Sequence, residues 1–451
     1  MKVAKFGGTS LASADQIKKV CSIVTSDPER RLVVVSAPGK RFREDTKVTD
    51  LLIACAKAGL EKGTAESEMQ AVIVRYAEIA ADLGMNMEIV QTISADLTDR
   101  VNGDKSNSGR YMDSLKAAGE DNCARLVAAY LQSTGVEASY ISPADAGLLL
   151  SDEYGNAQVL PQSYENLKRL SELTGIIIFP GFFGYSLSGE VVTLPRGGSD
   201  ITGSILAAAI DADLYENFTD VDNVYAVNPN LVKSPKPIHE LSYREMRELS
   251  YAGFSVFHEE ALIPVFKKGV PVRIKNTNNP DAPGTTIVKE RHNITDPVVG
   301  IASDTGFCFI YISKYLMNRE VGFGRKILQI LEEEHISYEH IPSGIDDMSI
   351  ILKQHGLDEN KEKRIVKRIK DELDVDHISV DKDLALVMMV GEGMRNTLGI
   401  TARAATSLAK AGINLDMINQ GPSEVSMMFG IKANESDKAV RALYEEFFNH
   451  P

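Results

Sequence analysis

Three short stretches hold residues suited to phosphate and carboxylate chemistry. The first is Lys5-Phe6-Gly7-Gly8-Thr9-Ser10, a lysine, two glycines and two hydroxyls in succession. Glycines let backbone N–H groups approach a phosphate closely. A following helix N-terminus attracts the anion, and lysine adds a point charge. The second, Arg196-Gly197-Gly198-Ser199-Asp200, sets a guanidinium beside two glycines. That arrangement suits two-pronged capture of a carboxylate. The third, Thr219-Asp220-Val221-Asp222-Asn223-Val224-Tyr225, follows an apolar strand, where α/β domains usually take nucleotides. Each also has an ordinary reading: a tight turn, a helix-opening Asp200, a loop with Asx turns. No GxxxxGK[ST], HRD or DFG occurs, which excludes Walker-type and protein-kinase machinery.

The elements that must position these residues alternate between strand and helix patterns over the first ~290 residues, which indicates an α/β domain. Met1–Phe6 reads as a strand. A helix follows, with Ser13 and Gln16 as a capping box and Ile17, Val20, Cys21 and Val24 on one face. Leu32–Val35, Ile176–Phe179, Leu214–Phe218 and Val270–Ile274 read as strands buried on both faces. Pro38–Val48 and Asp99–Arg110 read as long loops. The Asn- and Pro-rich stretch from Asn278 to Pro297 marks a domain boundary. Beyond it the chain repeats. Met317 matches Met394, Gly322 Gly399, Leu331 Leu408, Ile336 Ile413, Ile341 Ile418, Gly344 Gly421 and Ser349 Ser426, all at one offset. Each copy reads strand, helix, strand, strand, helix.

The three motifs in this order resemble the aspartokinases of the amino-acid kinase family, and the likeness covers essentially the whole chain. Ser36 and Thr49-Asp50 resemble the family's substrate loop, Gly119-Glu120 its acidic substrate contact, and the C-terminal repeat its tandem ACT domains. The resemblance implies a carbamate-kinase-like sandwich over 1–292, followed by ferredoxin-like ACT domains over 298–382 and 383–451. A strand near 298–303 would complete the second. It implies transfer of the γ-phosphate of ATP, with Mg²⁺, to L-aspartate, opening the route to lysine, threonine and methionine.

Residue by residue, the resemblance implies that Lys5, Gly7, Gly8 and Thr9 cradle the phosphates and that Asp200 places the substrate or the lysine. Arg196 would hold the α-carboxylate of aspartate and Glu120 its ammonium, with Ser36, Thr49, Phe182 and Ser199 lining the pocket. Thr219, Asp220, Tyr225, Asn230, Ser255 and Val256 would face the nucleotide. Two positions depart from the family pattern: Ser255 stands where relatives carry a second lysine, and Asn230 where they often carry arginine. Lys275 is a candidate replacement cation. An effector, lysine or threonine or both, would lie among Met317, Glu320, Phe323, Gly324, Ser337, Tyr338 and Glu339. A homodimer is the default expectation.

Composition agrees with such a protein. The 451 residues are 43% hydrophobic and 25% charged, with a formal net charge of −14. That acidity argues against nucleic acid or an anionic membrane as the main partner. No apolar run reaches the ~18 residues of a membrane helix, and the N-terminus lacks a secretory signal, so the expectation is cytoplasmic. Cys21, Cys55, Cys123 and Cys308 form no CxxC pair. His335 and His340 are one residue off helix-face spacing, so no metal site is expected. Two rival readings are a kinase for glutamate or N-acetylglutamate, and a non-catalytic amino-acid sensor with a decayed kinase fold. Length excludes a fused homoserine dehydrogenase.

Overall fold

The computed structural model describes residues 1–449 except 255, 256, 258, 292, 293, 295 and 422–424. It divides into two compact units. The first is Met1–Val224, Pro237–Ser250 and Ser255–His292; the second is Asn293–Pro451 with two inserted segments, Tyr225–Lys236 and Tyr251–Phe254. The boundary near residue 292 is therefore crossed twice before it is reached. The backbone shows why: Ile301 N–H donates to the Ala226 carbonyl at 2.7 Å, and Lys236 N–H to the Tyr444 hydroxyl at 2.9 Å.

The first unit is built on an eight-stranded sheet. In spatial order the strands are Glu240–Ser242, Thr285–Val288, Val272–Asn276, Leu214–Thr219, Lys2–Phe6, Arg30–Val35, Ile176–Pro180 and Ala138–Tyr140. The pairings are parallel except between Val272–Asn276 and Thr285–Val288. The opening strand lies mid-sheet, with Arg30–Val35 on one side and Leu214–Thr219 on the other. Its carboxyl end is therefore a topological switch point, where open α/β sheets take ligands. One face carries Phe6 stacked on Phe218, centroids 4.7 Å apart, in a core with the helix Ala14–Thr25. Ser13 caps that helix by accepting from Gln16 N–H at 3.4 Å.

The segment Asp99–Arg110, expected as a loop, is one in its middle half: Glu88–Val101 and Ser108–Ser133 take its two ends and leave 102–107 between them. Its polar start is the wet side of an amphipathic helix whose Ile93, Leu97 and Val101 are buried. Arg100 pairs with Asp96 one turn earlier at 2.9 Å. Asn107 caps the next helix by accepting from Arg110 N–H at 3.1 Å.

The second unit holds an antiparallel sheet in the order Asp347–Lys353, Gly300–Ser313, His377–Val390, Ser426–Lys432 and Met417–Gln420. The repeat is visible in it. Both long strands have 14 residues, and the helices Phe323–Glu333 and Ile400–Lys410 have 11 each. Gly322 and Gly399 open those helices at φ of 84° and 81°, a conformation that favours glycine. The long strands run antiparallel, Gly300 opposite Val390 and Ser313 opposite His377. Each copy thus lends half a strand to the other.

Two details differ from the expectation. The first copy shows only isolated bridges at His340 and Ser343 where the second has the strand Met417–Gln420. The Ser349–Ser426 match also slips. Ser349 pairs with Tyr311, and the counterpart of Tyr311, Met388, pairs with Met428. The turn between Gln420 and Met427 is two residues longer than that between Ser343 and Met348.

Candidate active site

Lys5 is the penultimate residue of the opening strand and is 7% exposed. Parallel register sets it beside Asn217, so both side chains leave the same face of the sheet. Its Nζ lies 2.5 Å from Asp200 Oδ1. Asn217 Nδ2 donates to that same oxygen at 2.6 Å. Asp200 sits in the first turn of the helix Gly198–Ala209, where a carboxylate is favoured by the helix dipole. The Tyr215 hydroxyl donates to the Asp200 carbonyl at 3.0 Å. Two strands and one helix thus converge on one ammonium–carboxylate pair.

The glycines beside it leave room for a ligand. A Cβ on Gly7 would stand 3.6 Å from Lys5 Nζ. One on Gly8 would stand 2.9 Å from the Ala37 carbonyl, so the first loop and the loop after the second strand interlock through bare backbone. Gly39 N–H donates to the Gly8 carbonyl at 2.8 Å, and Ser36 N–H to Phe6 at 3.2 Å. Thr9 is exposed in the short turn Gly8–Leu11. Thr49, half-buried, lies in the first turn of Val48–Lys62.

Glu120 is the acidic member of the cluster. It is 5% exposed, and its Oε2 has no hydrogen-bond partner. Burial pushes its carboxyl up to about 8, opposed by backbone N–H donors from Ala37 and its own residue and by the charges of Lys5 and Lys116. Phe182 takes a left-handed φ of 75°, held by its N–H on Thr202 Oγ1 at 2.9 Å and its carbonyl on Leu194 N–H at 2.8 Å. Ser199 packs so close to Gly181 that a Cβ there would approach within 2.7 Å. Arg196 is exposed in the turn before Gly197, which has φ 75°.

The nucleotide candidates are less tightly gathered. Thr219 ends its strand and its Oγ1 lies 3.3 Å from Asp220 Oδ1. Tyr225 and Asn230 belong to the second unit. Ser255 and Val256 lie outside the described residues. Lys275 pairs in register with Phe218, one position on from the Lys5–Asn217 row, so it leaves the opposite face from Lys5. Burial lowers its pKa, with Glu216, Arg30 and Arg273 as charged neighbours. The structure therefore does not bring Lys275 together with Lys5.

Among the effector candidates, Met317 and Phe323 are buried, while Tyr338 is half exposed. Glu320 is held by Lys314 at 2.7 Å and Lys326 at 2.9 Å, and those bonds lower its pKa. Glu339 accepts from the Tyr251 hydroxyl.

Two contributors escaped the sequence reading. Asn217 looks like any polar residue in a strand. Lys116 lies one turn before Glu120, reaches Asp113 at 2.7 Å and Thr193 Oγ1 at 3.0 Å, and stands 5.7 Å from the Phe182 ring. A lysine at i−4 from a glutamate was the available hint.

Residues 1–276 match the model of the amino acid kinase family and residues 387–447 that of the ACT domain. Aspartokinase 3 of Bacillus subtilis is 62% identical over 99% of this chain and 99% of its own length. The crystal structure of Clostridium acetobutylicum aspartate kinase has a TM-score of 0.88 at 39% identity, covering 99% of this chain and 100% of that one. E. coli aspartokinase III matches over 99% of this chain in two complexes. They are one with aspartate and ADP, TM-score 0.80 at 26% identity over 100% of that chain, and one with lysine and aspartate, 0.76 at 25% over 99%. With the family model covering the glycine cradle and full-length relatives on both sides of it, this chain belongs to the aspartokinases of the amino acid kinase family.

Proposed function

We infer that the chain transfers the γ-phosphoryl group of ATP to the side-chain carboxylate of L-aspartate. The observation that carries this reading is the pairing of two unlike charge sites at the carboxyl end of the mid-sheet strand. Lys5 lies against Gly7-Gly8, and Glu120 offers a buried oxygen with no partner. A buried carboxylate oxygen left unpaired is costly and calls for a cationic ligand group such as an α-ammonium. Arg196 would take the α-carboxylate, while Ser36, Thr49, Phe182 and Ser199 fix the body of the substrate. Aspartate's side chain ionises near ~3.9, so no base is needed to make the nucleophile. The obstacle is repulsion between carboxylate and polyphosphate. Lys5 offsets it by leaving Asp200 for the phosphoryl oxygens, with the backbone N–H groups of Gly7, Gly8 and Thr9 beside it. The carboxylate oxygen bonds to the γ-phosphorus, the bond to the β-γ bridging oxygen breaks, and ADP leaves with that electron pair. The product is an acyl phosphate.

No group of three or more His, Cys, Asp or Glu able to hold a metal occurs among the described residues. Magnesium therefore fits this chain as part of the nucleotide's own complex, where it neutralises phosphate charge. Thr219 and Asp220 would face that nucleotide. We place the catalytic domain at 1–292 and the ACT domains at 298–382 and 383–451, and expect a cytoplasmic homodimer. No helix among the described residues is long and apolar enough to cross a membrane. ATP-dependent hydroxamate formation with aspartate, and none with glutamate, tests the reading. Hydroxamate from glutamate alone would overturn it.

Arg196→Ala is expected to raise the aspartate KM at least thirtyfold and leave the ATP KM within twofold. Loss of a two-pronged, charge-assisted hydrogen bond to the α-carboxylate costs ~2 kcal/mol. Steady-state kinetics in both substrates decides. A shift confined to ATP would reverse the assignment of the two halves.

The regulatory reading is that lysine or threonine inhibits through the first ACT copy. It rests on the repeat and on the relative solved with lysine. Glu320→Ala, Ser337→Ala or Glu339→Ala should raise the inhibitory concentration tenfold and leave uninhibited activity unchanged, a coupling of ~1–3 kcal/mol. Inhibition that aspartate overcomes competitively, and that survives these changes, would place the effector in the active site instead.

A further inference from the structure

We propose that Arg75, buried on a helix that carries no candidate site residue, is the positioning residue that locks the substrate loop onto the phosphate loop. The proposal rests on the aspartate kinase reading and adds to it the device that holds the two loops in register.

Arg75 lies in the helix Glu66–Asp82 and is 4% exposed. Its Nη2 donates to two main-chain carbonyls, Ala12 at 2.9 Å and Gly39 at 2.9 Å. Ala12 closes the turn that begins at Gly8, and Gly39 opens the loop that runs to Val48. Nη1 donates to Asp45 Oδ2 at 2.9 Å, on the far side of that same loop. Asp45 is in turn gripped by Arg41, through its backbone N–H and Nε at 2.9 Å each. A single planar guanidinium thus spans the phosphate loop and both limbs of the substrate loop.

Among the described residues, no other side chain hydrogen-bonds to both loops. Gly8 and Gly39 meet as bare backbone, and a Cβ on Gly39 would stand 2.6 Å from the Gly8 carbonyl carbon. Such a contact positions atoms only while something holds the two strands of backbone together. The direct hydrogen bonds are Gly39 N–H to Gly8 at 2.8 Å and Val48 N–H to Pro38 at 3.1 Å. Behind the loop lies a cavity of about 430 Å³ lined by Arg41, Asp45, Thr46, Gln70, Val74 and Glu78, so the loop has space to move into when released. A lysine has one point of charge and no fork, so it cannot reach all three acceptors together.

The helix that carries Arg75 also sends Glu78 to Arg41 at 2.8 Å and the Tyr76 hydroxyl to the Gly119 carbonyl at 2.7 Å, but it carries no candidate substrate or phosphate contact, which separates positioning from contact. Ser36 and Thr49, the substrate residues flanking the loop, should lose their geometry when Arg75 is lost. Near-attack placement is sensitive to shifts of about 1 Å, which can cost ~100-fold.

The test compares Arg75→Met, Arg75→Lys and Asp45→Asn in the full chain, with thermal melting, steady-state kinetics and trypsin nicking of the loop. Lys40, Arg41, Arg43 and Lys47 are exposed tryptic positions within it. Arg75→Met should lower kcat about 100-fold at saturating substrates, and Arg75→Lys should recover at least tenfold of that. Asp45→Asn leaves both carbonyl contacts intact. It should raise the aspartate KM about tenfold, leave the ATP KM within twofold and speed loop cleavage at least fivefold, with saturating aspartate restoring protection. Should Arg75→Met fail to fold, the Asp45→Asn split and the Arg75→Lys kinetics decide. Folded variants with kcat and both KM values within twofold of the parent overturn the proposal. So does an equal rise of both KM values in Asp45→Asn. A parent enzyme that forms no aspartyl hydroxamate fails the aspartate kinase reading itself, a result distinct from either.

Discussion

Lys5→Ala is expected to lower kcat by two orders of magnitude or more while the protein stays folded. Removal of one preorganised charge that meets developing negative charge typically costs that much. The structure explains why the fold survives. Asp200 loses the ammonium at 2.5 Å but keeps Asn217 at 2.6 Å, and its position in the first turn of a helix stabilises a carboxylate. Lys5→Arg should rescue little. The Lys5 ammonium is a compact point charge 2.5 Å from Asp200, and a longer, planar guanidinium would carry its charge to a different place. Single-turnover phosphoryl transfer isolates the chemical step from product release. A folded Lys5→Ala enzyme with the parent's single-turnover rate would remove Lys5 from the mechanism.

Glu120→Gln should raise the aspartate KM about 100-fold, which is ~2.7 kcal/mol at 1.36 kcal/mol per decade. It should also abolish a pH dependence that the parent shows. Burial holds the Glu120 carboxyl near 8, so the free protein at pH 7 carries it mostly protonated. The charged and titratable groups facing it are Lys5 on the opening strand, Lys116 and Cys123 on its own helix, and Tyr76 on the neighbouring one. A substrate ammonium favours the ionised form, so binding expels a proton, and the aspartate KM should fall as pH rises from 6 to 8. Stability follows the opposite sign. The folded pKa is raised, so the contribution is fully present below the ordinary value of 4.5 and is lost as pH rises through about 8. Glu120→Gln should therefore melt above the parent at pH 8.5 and level with it at pH 4.5, both without ligand. Calorimetry in buffers of different ionisation enthalpy counts the released proton. An aspartate KM that is flat across pH 6–8.5 would show that Glu120 is already ionised in the free enzyme.

What could be read from sequence was what local chemistry dictates. Gly7-Gly8 after a strand, the α/β alternation and the repeated Gly322 and Gly399 depend on a few neighbouring residues, and the fold they pointed to is the one found. What escaped depends on register and tertiary placement. Lys275 and Lys5 both sit near strand ends, but only the pairing Lys275–Phe218 reveals that they leave opposite faces. A shift of one residue in that register would have set them on one face, with Asn217 between them. The ends of Asp99–Arg110 looked like loop because apolar residues are sparse there; the first of them is held in a helix by partners such as Asp121, reached by Arg100 at 2.8 Å. Arg75 was invisible for the same reason: a mid-helix arginine ordinarily faces water, and only the assembled loops make it central.

The shared strands of the C-terminal sheet also bear on how the protein is made and how it has been able to change. Gly300–Ser313 finds its full-length partner only after Val390 has left the ribosome. Until then the half-strand Gly300–Thr305, with Ile301 and Ala302, is left without its partner Ala385–Val390, the kind of edge that invites aggregation. The core of the first copy runs from Cys308 to Ile378, while the second copy must wait for its partner strand Gly300–Thr305, so the first can gather before the second docks on it. The same crossing makes the ancestral duplication hard to undo. Deleting either copy removes half the hydrogen-bonding of a central strand from the survivor, so the pair can diverge in sequence but can scarcely be inherited apart.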